Sequence, residues 1–314
     1  MNKNGVPRRL LHYLKKELKN SNLVFKRFPI KIGQGYETYI YKFQLENTVI
    51  EHSKPLVLRL YPENIENKVQ KEHLIQNFLK ENNYPVPKVH LFCGDRTILG
   101  GEFLVMEYLQ GKTMEDSIAS HESPILLADT HVELHKIQTE KLVETLTKSS
   151  VPSEWYDGTI WSDTRAANIP WLRPGIDWIK NNEPKINQNV LCHGDFHRTN
   201  VLVKGKTISG VLDWGDSHLG EPEKDVAYTL LVLTAWDPLV PSECISSRDA
   251  DTYLDHYRSI GKLDMSKIDY YKAVNCISYL EWVNIGGTQA IPKRVINNLL
   301  DCFKEITGVI INPQ

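Results

Sequence analysis

The sequence predicts an α+β fold of two lobes, a small antiparallel-sheet lobe with one helix against it and a larger, mostly helical lobe. Three observations carry this. β-rich runs concentrate before residue 111, long 3.6-residue periods follow it, and 314 residues is about twice a typical domain. The expected boundary lies near Leu109 to Lys112, giving lobes of 1–110 and 111–314.

RRLLHYLKKELKN spaces Leu10, Leu11, Tyr13, Leu14 and Leu18 at helical intervals between basic residues, which predicts a leading amphipathic helix with a packing role. From Phe28 the pattern turns to partly alternating runs, KIGQGYETYIYKFQLE and PLVLRLYPE, expected as antiparallel strands. NKVQKEHLIQNFLKENN returns to the helical period, with Val69, Leu74, Ile75, Phe78 and Leu79 on one side, before PVPKVHLF stops it. GEFLVMEYLQG reads as a buried strand ending at Gly111. Beyond it, SPILLADTHVELHKIQ, YKAVNCISYLEWV and KRVINNLLDCFKEI read as helices around one β-rich island, VLCHGDFHRTNVLVKGKTISGVLDW, which carries one or two hairpins.

Composition narrows the function classes. Apolar residues at 41% and charged residues at 24% are ordinary for a globular protein. Lys+Arg at 37 against Asp+Glu at 39 leaves a net charge of −2, so no global basic field collects nucleic acid or anionic lipid. Cys93, Cys192, Cys244, Cys276 and Cys302 form no CxxC pair, so neither a disulfide framework nor a zinc knuckle is signalled, and a reducing cytoplasm is the expected location. The charged N-terminal stretch lacks an export h-region, and no uninterrupted apolar run is long enough for a membrane span. A cleft between the lobes is the default ligand site.

The chemistry concentrates between His193 and Trp214. Asp195 and Asn200 sit five apart in HGDFHRTN, and Asp213 arrives eighteen residues after Asp195 in VLDW. Phosphoryl transfer needs a carboxylate at the acceptor hydroxyl and oxygen ligands for Mg²⁺ on the nucleotide phosphates. The kinase signatures demand the same order: base aspartate, metal asparagine, metal aspartate. None of the three is informative alone; the ordered set is specific.

HGDFHRTN, then VLDWGDSHLGEPEKDVAY, resembles the aminoglycoside phosphotransferase and choline kinase group, small-molecule kinases whose pattern is HGDxxxxN, a hydrophobic pair before DW, then GxPxxD. PVPKV and FLVMEYLQG extend the resemblance over roughly residues 30 to 230. It implies a protein-kinase-like fold with a nucleotide-binding first lobe and a catalytic, substrate-binding second lobe. It implies Asp195 as catalytic base, Asn200 and Asp213 as Mg²⁺ ligands, and His193 and Asp225 as braces of the catalytic loop. Glu72 corresponds to the glutamate that pairs a phosphate-binding cation on the third strand. Gly33 and Gly35 correspond to the turn over the phosphates, and the backbone of Met106, Glu107 and Tyr108 to the adenine site. Two departures stand out. The cation is Arg59 where the best-known members carry lysine, although macrolide kinases also carry arginine, and the glycine turn is only GQG.

The implied activity is Mg²⁺-dependent transfer from ATP or GTP to a hydroxyl of a small molecule, of aminoglycoside or macrolide type. The alternatives are a metabolite kinase acting on a choline-, homoserine- or sugar-like acceptor, and a non-catalytic nucleotide-binding module. A protein kinase is disfavoured because GxPxxD replaces the activation segment. Other residues have blander readings. His131 and His135 read as part of a packed helix before a metal pair, and Cys192 as a buried strand cysteine before a nucleophile. Trp236, Tyr253, Tyr257, Tyr270, Tyr271, Tyr279 and Trp282 read as core before a cation cage, and Asp249, Asp251 and Asp255 as solvated carboxylates before an amine-binding set.

Overall fold

The structure, a computed structural model, describes residues 5–34, 38–62, 67–117, 122–152, 169–186, 189–236, 247–284 and 292–313. Gly35 and Cys244 lie outside them. In chain order the first elements are α1 (Gly5–Glu17), β1 (Val24–Gln34), β2 (Tyr39–Glu46), α2 (Ile50–Ser53), β3 (Pro55–Tyr61), α3 (Lys68–Glu81), β4 (Val89–Cys93), α4 (Arg96–Leu99) and β5 (Glu102–Glu107). Then come β6 (Lys112–Thr113), α5 (Ser123–His135), α6 (Glu140–Lys148), α7 (Arg173–Asn181), β7 (Val190–Cys192), β8 (Val201–Lys204), β9 (Thr207–Val211) and β10 (His218–Gly220). The last are α8 (Pro222–Leu231), α9 (Arg248–Ile260), α10 (Ile268–Asn284) and α11 (Lys293–Thr307). Two units emerge. The first is Met1–Gly111 with Glu140–Trp155 and Leu202–Gly215; the second is Lys112–Thr139, Tyr156–Val201 and Asp216–Gln314.

The first unit is built on a five-stranded antiparallel sheet in the order β1-β2-β3-β5-β4. The run after Phe28, read from sequence as one strand region, divides into β1 and β2, so three strands rather than two precede α3. Period-two alternation assigns each face its own cover. Leu56, Leu58 and Leu60 of β3 join Phe103 and Val105 of β5 in a core with Val6, Leu10, Tyr13 and Leu14 of α1. The alternate β5 residues, Leu104 and Met106, cluster instead with Val69 of α3, Tyr61 and Val89. The expected helix α3 therefore covers one face and α1 the other, which is why β5 is apolar almost throughout. Arg59, between Leu58 and Leu60, necessarily leaves the α1 side.

The second unit is helical. α10 packs against α8, α11 and α7, and its core holds Tyr271, Val274, Ile277 and Leu280 with Leu299 and Phe303 of α11. Gly175 of α7 is a point of close approach, since a Cβ there would lie 2.5 Å from Ile277 Cδ1 and 2.8 Å from Ile311 Cδ1. α5 lies along α9, and β7 pairs antiparallel with β10. Tyr253, Tyr257, Tyr270 and Tyr271 are buried, as the core reading expected. Cys93, Cys192, Cys276 and Cys302 are all buried free thiols. Among the described residues no helix is long and apolar enough to cross a membrane.

Leu14, fully buried in the α1 core, tests the leading helix. Leu14→Ala should cost about 2–5 kcal/mol, read as a lower denaturant midpoint in urea; a change below about 0.5 kcal/mol would show that α1 is dispensable.

Candidate active site

The first unit gathers Arg59, Glu72 and Asp213. β3 aims Arg59 away from the α1 core, and its Nη1 donates to Glu72 Oε1 on α3 at 2.9 Å. Its Nη2 donates to Asp213 Oδ1 at 2.5 Å. Glu72 is wholly buried, and its other oxygen accepts the Tyr61 hydroxyl. Burial opposes the charge of Arg59, but Asp213 and Glu72 outweigh it and hold the guanidinium more firmly protonated than usual. For Glu72 burial is the largest effect and lifts its pKa, against the pull of Arg59. Arg59 Nε is buried without a hydrogen-bond partner. Asp213 adopts a left-handed backbone, φ 68°, and exposes 43% of its side chain.

The other first-unit positions are backbone features. Met106 is buried, paired to Val57 and Val89. Glu107 N–H donates to Lys88 O at 2.9 Å and Tyr108 N–H to Pro55 O at 3.1 Å. The Glu107 carboxylate accepts Lys88 N–H at 3.1 Å and Lys80 Nζ at 3.0 Å. Despite burial these donors lower its pKa, so the side chain ties β5 to α3 and β4. Gly33 lies in β1 opposite Ile40, where a Cβ would make only ordinary contact.

In the second unit the loop after β7 carries Asp195 and Asn200. Asn200 Nδ2 donates to Asp195 Oδ2 at 2.9 Å and to its backbone oxygen at 2.9 Å. Asp195 Oδ1 accepts the Tyr228 hydroxyl and lies 3.1 Å from His197 Nε2. Burial would lift the Asp195 pKa, but His197 and Tyr228 overcome it and hold the carboxylate below its usual range. Tyr228 in turn accepts the Tyr279 hydroxyl, and the two rings stack with centroids 5.6 Å apart.

Asp225 organises the loop. It is 1% exposed, and its carboxylate accepts His193 N–H at 2.6 Å, Gly194 N–H at 2.9 Å, and the Nε2 atoms of His131 and His135 at 2.9 and 3.3 Å. Burial alone would raise its pKa; the histidine contacts drive it well below normal. Gly194 has φ +82°, and a Cβ there would collide with the Asp216 carbonyl, so the turn requires glycine. His193 Nδ1 accepts Asp195 N–H at 3.2 Å, which seats the loop behind Asp195.

His131 and His135 are thus more than helix packing. Their Nδ1 atoms meet the Tyr253 and Tyr257 hydroxyls at 2.6 and 2.7 Å, two steps of four residues matched between α5 and α9. Burial, with His135 beside it, pushes the His131 pKa down to about 4, leaving a neutral ring that donates from Nε2. Cys192 is fully buried, with its thiol 3.5 Å from Glu221 O and its pKa raised by burial. Asp249 is half-buried and ion-paired: Arg198 Nη1 donates to it at 2.9 Å while Arg198 Nε lies 3.0 Å from Glu115. Asp251 and Asp255 are exposed. Tyr228 and His197 are residues that sequence reasoning missed; for Tyr228 its i, i+3 spacing from Asp225 on α8 was the available signal.

His131 gives a pH prediction. Its folded pKa lies below the free value of 6.5, so the unfolded chain binds more protons in between. Stability is complete above about pH 6.5 and falls as pH drops towards 4, by up to about 1.4 kcal/mol per pH unit. Equilibrium unfolding between pH 4 and 7 should show this slope and His131→Asn should flatten it; an equal slope in the variant would refute the assignment.

Residues 30–263 match the model of the phosphotransferase enzyme family. A curated relative, acyl-CoA dehydrogenase family member 11 of Pongo abelii, is 25% identical over 235 residues, covering 67% of this chain and 27% of that protein. The chain spans about a quarter of the length of the curated relatives it matches. A putative aminoglycoside phosphotransferase from Ralstonia eutropha has a similar fold, TM-score 0.64 at 16% identity, over 96% of this chain and 94% of that one. A thermostable mutant of aminoglycoside phosphotransferase APH(4)-Ia, solved as a ternary complex with AMP-PNP and hygromycin B, gives TM-score 0.62 at 15% identity over 95% and 98%. With three quarters of its length matched by the family model and a fold similar to these structures, the chain belongs to the phosphotransferase enzyme family.

Proposed function

We propose that the chain transfers the γ-phosphoryl group of ATP or GTP to a hydroxyl of a small molecule, with Asp195 at the acceptor and Arg59, Asn200 and Asp213 serving the nucleotide and its Mg²⁺. The observation that carries this is the state of Asp195, an ionised carboxylate with its orientation set by Asn200, His197 and Tyr228. A carboxylate held low is a weak base but a good hydrogen-bond acceptor. A loose phosphoryl-transfer transition state asks for positioning of the hydroxyl more than early proton removal. Asp195 then takes the proton late, as the new P–O bond forms.

Arg59 supplies positive charge that cannot be titrated away near neutral pH. Glu72 fixes one end of its fork, and Nη2, which here donates to Asp213, is the group able to turn to a phosphate oxygen. The donor set of Asn200 and Asp213, an amide oxygen and a carboxylate, suits Mg²⁺, which takes one or two protein oxygens beside substrate phosphates. The ion would neutralise phosphate charge there.

The acceptor is proposed to be of antibiotic type, on the likeness in fold to aminoglycoside kinases. A second reading has its own support: the curated relatives are closer in sequence, and the one described above is named for acyl-CoA dehydrogenation. On that reading the acceptor is a metabolite, a hydroxylated acyl thioester.

Incubation with Mg²⁺ and ATP or GTP against separate pools of aminoglycosides, macrolides, amino alcohols and hydroxyacyl-CoA thioesters decides the matter by phosphorylated product. Asp195→Asn should lower turnover about 10²–10⁴-fold while keeping nucleotide stabilisation, and Asp213→Asn should lose the Mg²⁺-dependent part of that stabilisation. Folded wild type that yields no product and no nucleotide-dependent rise in melting temperature would overturn the proposal. Tyr228→Phe removes a charge-assisted hydrogen bond from Asp195 and should lower kcat about tenfold with KM for nucleotide unchanged; an unchanged kcat would show that Asn200 and His197 hold the carboxylate without it.

A further inference from the structure

Within the first unit, away from Arg59 and Asp213 in the sequence, Glu51, His52 and His90 offer donor atoms that all lie within 4.8 Å of one another. Glu51 and His52 sit on the four-residue helix α2, and His90 on β4. Glu51 Oε1 is 3.7 Å from His90 Nδ1, and the two imidazoles meet edge to face with centroids 4.9 Å apart. The His90 side chain is only 3% exposed, and Nδ1 is its atom near Glu51.

We propose that Glu51, His52 and His90 bind a divalent transition metal of the zinc class, with water in the remaining position. Two imidazole nitrogens and one carboxylate oxygen are a donor set that zinc takes in four-coordinate sites with an open position. Nitrogen donors disfavour Mg²⁺, so this site is chemically distinct from the one proposed for the phosphates. Zinc ligands about 2.0–2.1 Å from the ion stand roughly 3.3 Å apart, so the donors need to close by up to about 1.5 Å. Glu51, 48% exposed on a short helix, supplies part of that movement once it leaves Lys88.

A cation already marks the place. Lys88 Nζ lies 2.5 Å from Glu51 Oε1, and that lysine, 45% exposed, can swing into solvent when a divalent ion takes the carboxylate. Lys88 is therefore a competitor for Glu51, and its removal should favour the metal. A cluster that served packing alone would not respond in that direction.

The test is a titration of the full chain with Zn²⁺ against a chromophoric chelator, with the ligand-field spectrum of the Co²⁺ form as a second readout. One equivalent should bind to wild type, at least about tenfold more weakly to His52→Ala and to Glu51→Gln, and several-fold more tightly to Lys88→Ala. Glu51 is exposed and His52 half-buried, and circular dichroism checks that both variants fold. Equal binding by wild type and both ligand variants places the ion elsewhere and overturns the proposal, as does no binding. Unchanged affinity in Lys88→Ala overturns the competition on which it rests.

Discussion

The second unit depends on one buried carboxylate. Asp225 has no exposure to speak of, so its charge survives only because four donors converge on it: two backbone N–H groups from the loop and two imidazoles from α5. Removing any of them leaves part of a buried charge uncompensated, which costs far more than an ordinary hydrogen bond contributes. The demand propagates outward. The histidines must be correctly oriented, so Tyr253 and Tyr257 of α9 hold their other nitrogens, and α9 is tied a second time by Arg198 to Asp249. A loop that would otherwise be pliable is thereby clamped from a helix on either side.

The first unit solves a related problem with a cation. Arg59 is placed by strand alternation, not by any special turn. Once there it needs anionic partners because its face of the sheet is enclosed. Glu72 provides a permanent one; Asp213, at the end of a separate segment, provides one that solvent can reach. The rigid fork suits arginine to this place: separate Nη atoms serve the two carboxylates, whereas a single ammonium would share one centre between them.

How much of this was legible in the sequence depends on range. Asp195, Asn200, Asp213 and Asp225 fall within thirty-one positions, so a short ordered pattern was enough to single them out. The helix α3 and the strands β3 and β5 followed from periodicity, whereas the division of the first β run between Gln34 and Tyr39 did not, because alternation runs through both halves. Contacts such as Tyr279 to Tyr228 or Asp249 to Arg198 join residues about fifty positions apart and leave no local trace. A lone aspartate near a helix start looks the same in sequence whether it is solvated or ion-paired. The His131 and His135 pair shows the intermediate case: their spacing was visible, but the matching spacing of Tyr253 and Tyr257 acquires meaning only once α5 and α9 are known to be neighbours.

The left-handed backbone of Asp213 bears on how such a chain can change over generations. Only glycine, asparagine and aspartate enter that region readily; other side chains pay about 1–2 kcal/mol in steric strain. Most codon changes at this position therefore discard the carboxylate and weaken the fold together. Asparagine and glycine are the narrow exits that remove charge while sparing the backbone, so a lineage that drifts from turnover to mere binding is expected to pass through one of them.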